Sequence, residues 1–163
     1  MQRWYIAALA LDLAMTACGA NSPPQSTAAS TRSSPASHAV VGRWALIAMV
    51  RNGEDVTRGG VTQDGAVRYY TFKDDRTFLI QLGDSVTETG TWSIDTTVSP
   101  KTFDHTPAKD GRPGPLVPGI YEVGGDVLKI SFLPPNAENK RQTQFEATVP
   151  NGSFLFILKR VMQ

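Results

Sequence analysis

Beyond Val40 the chain repeats one pattern: a short run in which apolar and polar residues alternate, then a cluster of Gly, Pro, Asn and Asp. Alternation with a period of two sets one face of a strand against a core and the other in water, and the turn residues end each run. Trp44, Leu46, Ala48 and Val50 share a face of the first run, which Asn52-Gly53 ends. Arg68 to Lys73 is aromatic, Asp74-Asp75-Arg76 turns, and Thr77 to Leu82 returns with Phe78, Ile80 and Leu82 on one face. Gly83-Asp84 turns again. The next run sets Val86, Glu88, Gly90, Trp92 and Ile94 against Thr87, Thr89, Thr91 and Ser93. Lys101 to Thr106 predicts a short strand, and Pro107 to Gly114 is the least regular stretch. Ile120 to Val123 and Val127 to Phe132 flank Gly124-Gly125-Asp126, a hairpin signature. Gln144 to Val149 and Ser153 to Arg160 flank Pro150-Asn151-Gly152 in the same way. The pattern predicts about eight or nine strands and no helix.

Sequential antiparallel hairpins suit an all-β up-and-down barrel, which leaves no strand edge exposed. With about eight strands, the interior of such a barrel is either filled by side chains or holds one small ligand. Phe72, Phe78, Trp92, Phe103, Tyr121, Phe132, Phe145 and Phe156 are bulky enough to fill much of it, and a packed core is the first expectation for such residues. Phe72, Phe78, Trp92, Tyr121 and Phe132 are also the expected lining of an apolar ligand site.

The alternation is missing from the first part of the chain. Arg3 and then Trp4 to Leu11 follow the charged-then-apolar order of a secretion signal. The run is shorter than the roughly 20 apolar residues of a transmembrane helix, and Asp12 interrupts it. Met15-Thr16-Ala17-Cys18-Gly19 places small residues before the single cysteine and resembles the bacterial lipobox, with Met15 where leucine is usual. That resemblance implies removal of residues 1–17 and acylation of Cys18. Two or more acyl chains hold a protein firmly at a membrane where one does not. Residues 18–38 are rich in Ser, Thr, Ala and Pro and predict a disordered tether. The expected organisation is therefore a signal peptide over 1–17, the lipidated cysteine and tether over 18–38, and a barrel domain over 39–163. The expected location is a bacterial cell envelope, on its periplasmic or cell-surface side.

Charge narrows the partners. Setting aside Arg3, Arg32 and Asp12 leaves 14 basic and 14 acidic residues for positions 39 to 163. A neutral domain lacks the basic footprint that nucleic acid requires, and the charge that would draw it to an anionic membrane surface. One cysteine excludes an intramolecular disulfide and a paired-cysteine metal site.

Gly42-Arg43-Trp44 on the first strand, with Lys159-Arg160 ending the last, resembles the lipocalin-like arrangement. That resemblance implies a barrel cap of Gly42, Trp44 and Arg160, in which the guanidinium lies across the indole and gains about 0.5–2 kcal/mol of cation–π energy. A longer set of pieces is similar to a lipocalin-like family of uncharacterised proteins abundant in planctomycete bacteria. The pieces are Arg51-Asn52-Gly53, the strand ending at Phe72, Gly90-Thr91-Trp92, Pro100 to Asp104, Gly119 to Glu122, Gly125 to Lys129, Arg141 with Phe145, and Leu158 to Arg160. The resemblance spans nearly all of residues 41 to 161. Ser131 stands where the family often has cysteine, and Gln142 where it often has proline. The likeness implies the fold and carries no activity with it.

Candidate chemistry is sparse. Asp104-His105 is the one place where an acid and a histidine meet, but strand neighbours point to opposite faces. No activated serine and no third ligand accompanies them, so neither catalysis nor metal binding is expected. Asp104 is expected to bond a turn, Arg160 to cap Trp44, and Arg141 to be a solvated charge. Gly124-Gly125-Asp126 reads as a turn, since no helix follows it to bind an anion. Two readings remain: a non-catalytic, envelope-anchored barrel that binds a small apolar ligand or lipid, and a filled barrel whose loops, above all Pro107 to Pro118, contact another envelope protein. No cofactor is expected.

Overall fold

The computed structural model of the chain describes residues 39–57, 65–134, 140–147 and 152–162. The expected signal peptide, Cys18 and the tether lie outside the described residues. Ten strands follow in chain order among the described residues: β1 (Gly42–Arg51), β2 (Glu54–Asp55), β3 (Arg68–Phe72), β4 (Thr77–Leu82), β5 (Ser85–Asp95), β6 (Thr102–Lys109), β7 (Arg112–Pro113), β8 (Val117–Gly124), β9 (Val127–Phe132) and β10 (Phe154–Arg160). β2 and β7 are two-residue flaps folded back on β1 and β6. The other eight form an antiparallel meander that β10 closes by pairing with β1, from Trp44 opposite Arg160 to Arg51 opposite Phe154. The result is a closed eight-stranded antiparallel barrel of lipocalin-like form.

The alternation read from the sequence holds through most staves and slips at two bulges. In β1 the pairing jumps from Leu46 opposite Leu158 to Ala48 opposite Ile157. An inserted residue in one strand reverses the faces beyond it. Met49, not Ala48 or Val50, therefore packs on the core, and Ile47 is left 49% exposed. In β4 and β5 the jump falls between Ile80 opposite Glu88 and Gln81 opposite Val86. Glu88, Gly90, Trp92 and Ile94 keep one face, while Val86 is 56% exposed.

Two boundaries differ from the sequence reading. β6 runs on to Lys109 and turns through Asp110-Gly111, so the stretch expected to be least regular is a small hairpin. The strand expected over Gln144 to Val149 is absent from 144–147, and 148–149 lie outside the described residues. The reason is a shortage of edges. β9 pairs with β8 and β10, and β10 with β9 and β1, so among the described residues no stave has a free side for another strand. Residues 140–147 instead run along the outside, where Arg141 donates to the Gly119 carbonyl and Ser131 to Gln142.

The two ends of the barrel are built differently. At one end the links are the turns β3–β4, β5–β6 and β8–β9. Asp75 and Asp95 brace two of them, each accepting from the backbone and hydroxyl of a threonine two residues on, Thr77 and Thr97. These bonds hold both carboxyls below the usual range. At the other end lie the long connections β1–β3, β6–β8 and β9–β10, together with the tight β4–β5 turn.

Candidate functional site

The short-turn end is shut by two indoles, each under an arginine. Trp44 is fully buried and donates through Nε1 to the Val40 carbonyl at 2.8 Å. The Arg160 guanidinium lies 4.1 Å above its ring and donates to the Val41 and Ala39 carbonyls at 2.9 and 2.6 Å. Gly42 makes that position possible, since a Cβ there would sit 2.7 Å from the arginine Nη1, and its φ of 133° disfavours any side chain. Trp92 donates to the Thr77 carbonyl at 3.0 Å and lies under Arg76, 4.9 Å from the ring centre. This second pair was not legible in the sequence. Arg76 reaches the indole from a left-handed backbone conformation, φ 66°, in a turn where a glycine or asparagine is the usual choice.

Above this floor the aromatics divide into two groups. Phe72, Trp92, Phe103 and Tyr121 form the lower one, with Trp92 and Phe103 stacked at 6.1 Å and Phe72 edge-on to both. Tyr70, Phe132, Phe154 and Phe156 form the upper one, with Phe132 and Phe156 edge-to-face at 5.0 Å. Between the groups lies a cavity of about 240 Å³. Phe72, Phe78, Phe103, Phe132 and Phe156 line it with Tyr70, Ile80, Val117 and Ile130. Of the five residues expected to line a ligand site, the structure brings Phe72, Phe78 and Phe132 to this cavity. Trp92 and Tyr121 instead belong to the floor.

Arg68, Glu88 and His105 face the same cavity, together with the Tyr70 phenol, which interacts with the Arg68 guanidinium. Their placement follows from register. Arg68 and Tyr70 share the inner face of β3, Ile80 lies opposite Tyr70, and Glu88 lies opposite Ile80. Glu88 is raised by burial, with the Arg68 guanidinium acting in the opposite direction. Burial pushes the Tyr70 phenol up to about 12. His105 is held among the Phe78, Phe103 and Phe132 rings at 5.9, 6.1 and 5.2 Å, and desolvation lowers it to about 4. Its imidazole is therefore neutral at neutral pH. Arg68 Nε and His105 Nδ1 are buried and have no hydrogen-bond partner among the described residues. Buried polar atoms are rarely left so.

Asp104, the neighbour of His105, faces outward and bonds Arg141 through both oxygens, at 2.5 and 3.0 Å. Arg141 is an exposed charge, as expected, but a paired one. The partner of Asp104 is this arginine, 37 residues further on, and not a turn, which corrects that expectation. Asp104 and His105 thus do not act together. Ser131 and Gln142 meet each other, and Ser131 also donates to the Phe154 carbonyl at 3.0 Å. Among the described residues no three His, Cys, Asp or Glu side chains are grouped to hold a metal, and no helix is long and apolar enough to cross a membrane. The chain matches no protein-family model, no curated protein and no solved structure.

Proposed function

We propose that the protein is an envelope-anchored binding protein whose barrel takes one small, mainly apolar ligand and performs no chemistry on it. The aromatic-lined cavity between floor and mouth is the observation that carries this reading. A barrel serving only as a scaffold gains stability by filling such a space, because each unfilled methyl-sized void costs about 1 kcal/mol. The charge pattern of the strands adds to the case: Asp104 is engaged outside by Arg141, on the opposite face from His105.

The ligand test uses the uncharged dye N-phenylnaphthylamine, whose fluorescence rises in apolar surroundings. Saturable binding at one site is expected. Ile80→Trp, which adds a large side chain on the cavity wall, should weaken binding by about tenfold or more while the cooperative thermal transition persists. Absence of saturable binding by the native protein would overturn the ligand reading and favour a scaffold acting through its outer loops.

The anchor rests on Cys18 and the small residues before it. Expressed from Met1 in a bacterial host fed an alkyne-bearing fatty acid, the protein is expected to carry the label, and Cys18→Ser to lose it. Equal labelling of both, or of neither, counts against lipidation at Cys18.

A further inference from the structure

The polar groups in the cavity say more about the ligand than the rings do. We infer that the barrel selects an uncharged, hydroxyl-bearing aromatic molecule, a small phenol, with its ring among the phenylalanines and its hydroxyl turned toward Arg68 and His105, and that Glu88 sets this preference for a neutral ligand. The inference rests on the cavity being a ligand site.

Size comes first. At about 240 Å³ the space lies below the ~300 Å³ at which drug-sized sites begin, so it suits a compact guest. The walls agree. Phe72, Phe78, Phe103, Phe132 and Phe156 offer ring faces and edges, which favour an aromatic guest over a flexible chain by edge-to-face contacts.

Charge comes next. Arg68 contributes one positive charge and Glu88 one negative charge, and the His105 imidazole is neutral, so the charges of the cavity are balanced. A carboxylate ligand adds an unmatched negative charge beside the half-buried Glu88. An ammonium adds an unmatched positive charge beside Arg68. Both pay the desolvation penalty of a buried ion without a free partner of opposite sign. A neutral ligand avoids it.

Hydrogen bonding selects among neutral molecules. Among the described residues Arg68 Nε–H is an unpaired donor, and His105 Nδ1 is an unpaired ring nitrogen. A hydroxyl is both donor and acceptor. It accepts from the arginine, and it serves the imidazole in either tautomer. A hydrocarbon leaves both nitrogens without partners.

The test is calorimetric titration of the whole protein, near neutral pH, with three molecules of matched shape: para-ethylphenol, ethylbenzene and para-ethylbenzoate. The phenol is expected to bind about tenfold tighter than either of the others. Glu88→Gln keeps the shape and removes the negative charge. It is expected to improve benzoate binding by about tenfold or more, bringing it level with the phenol or past it. If the native protein prefers the benzoate, or does not distinguish phenol from ethylbenzene, the inference fails and the ligand reading stands. Unchanged benzoate affinity in a folded Glu88→Gln protein removes Glu88 from the account. If neither these three molecules nor the naphthylamine dye binds, the ligand reading fails with it. The ranking in the native protein decides the matter even if Glu88→Gln does not fold.

Discussion

Gly90→Ala is expected to cost about 3 kcal/mol of stability, at the upper end of what adding a single methyl to a packed interior costs. Gly90 faces inward on β5, opposite Phe78 on one side and Pro107 on the other. A Cβ built there meets the backbone oxygen of Thr106 well inside contact distance, and two carbons of the Phe78 ring at 2.6 and 2.8 Å. The ring has some freedom to swing away, but the carbonyl belongs to the β5–β6 ladder and moves only if the two staves part. Glycine within a strand ordinarily costs about 0.5–1 kcal/mol relative to alanine. Here the sign is reversed because the missing side chain is the space that Phe78 occupies. The expected fall in Tm is about 10 °C for a domain of this size. Gly124→Ala is the control: a Cβ at Gly124 meets nothing within 4 Å, and the change should stay within about 0.5 kcal/mol. Equal stability of Gly90→Ala and the native protein in urea titrations would refute the packing argument. Phe78 also lines the cavity, so displacing its ring should weaken dye binding as well, linking the strand defect to the site.

The sequence pattern carried the architecture because the barrel depends on alternation, and alternation is local. Thr77 to Leu82 and Ser85 to Asp95 announce their inner faces without help from the rest of the chain. The bulges are not local. Nothing in Leu46-Ile47-Ala48 says that one residue will be extruded, since the extrusion is fixed by where β1 must meet β10. Gln144 to Val149 alternates as well as a true strand does, and pairing elsewhere decides its fate, with β10 already occupying the edge it would need. The cap was readable because Gly42, Trp44 and Arg160 resemble a known arrangement, whereas Arg76 over Trp92 has no such precedent in the chain. The polar side of the cavity was half-visible. Glu88 alternates with Trp92, and Arg68 with Tyr70 and Phe72, so both stand on inward faces in the bare sequence. What the sequence lacked was the pairing that brings two opposite charges from β3 and β5 into one space across β4.

His105 is expected to make the barrel acid-sensitive in a narrow window. Its folded form is held near 4 by burial, opposed only partly by Asp104, against about 6.5 for an exposed histidine. The unfolded chain therefore binds a proton between these values that the folded barrel refuses. Stability contributed by the neutral imidazole is complete above about 6.5 and is lost as pH falls toward 4, by about 3 kcal/mol in all. The charged or titratable groups sharing its cavity are Arg68, Glu88 and Tyr70. Glu88, raised by burial, gains its proton as pH falls and so works in the opposite direction, stabilising the fold toward acid. Asp75 and Asp95 lose their turn bonds on protonation and weaken the barrel further. A difference measurement removes these common contributions. His105→Phe places a ring of similar size among Phe78, Phe103 and Phe132 and takes away both the titration and the unpaired Nδ1. In urea titrations the variant should gain about 3 kcal/mol on the native protein between pH 7 and pH 4, with most of the gain below 6. A gap that stays constant across that range would mean that the imidazole takes up its proton in place, and that the cavity around it is wetter than its aromatic walls imply. Ligand selection by charge would then weaken as well, because the same cavity holds His105 with Arg68 and Glu88.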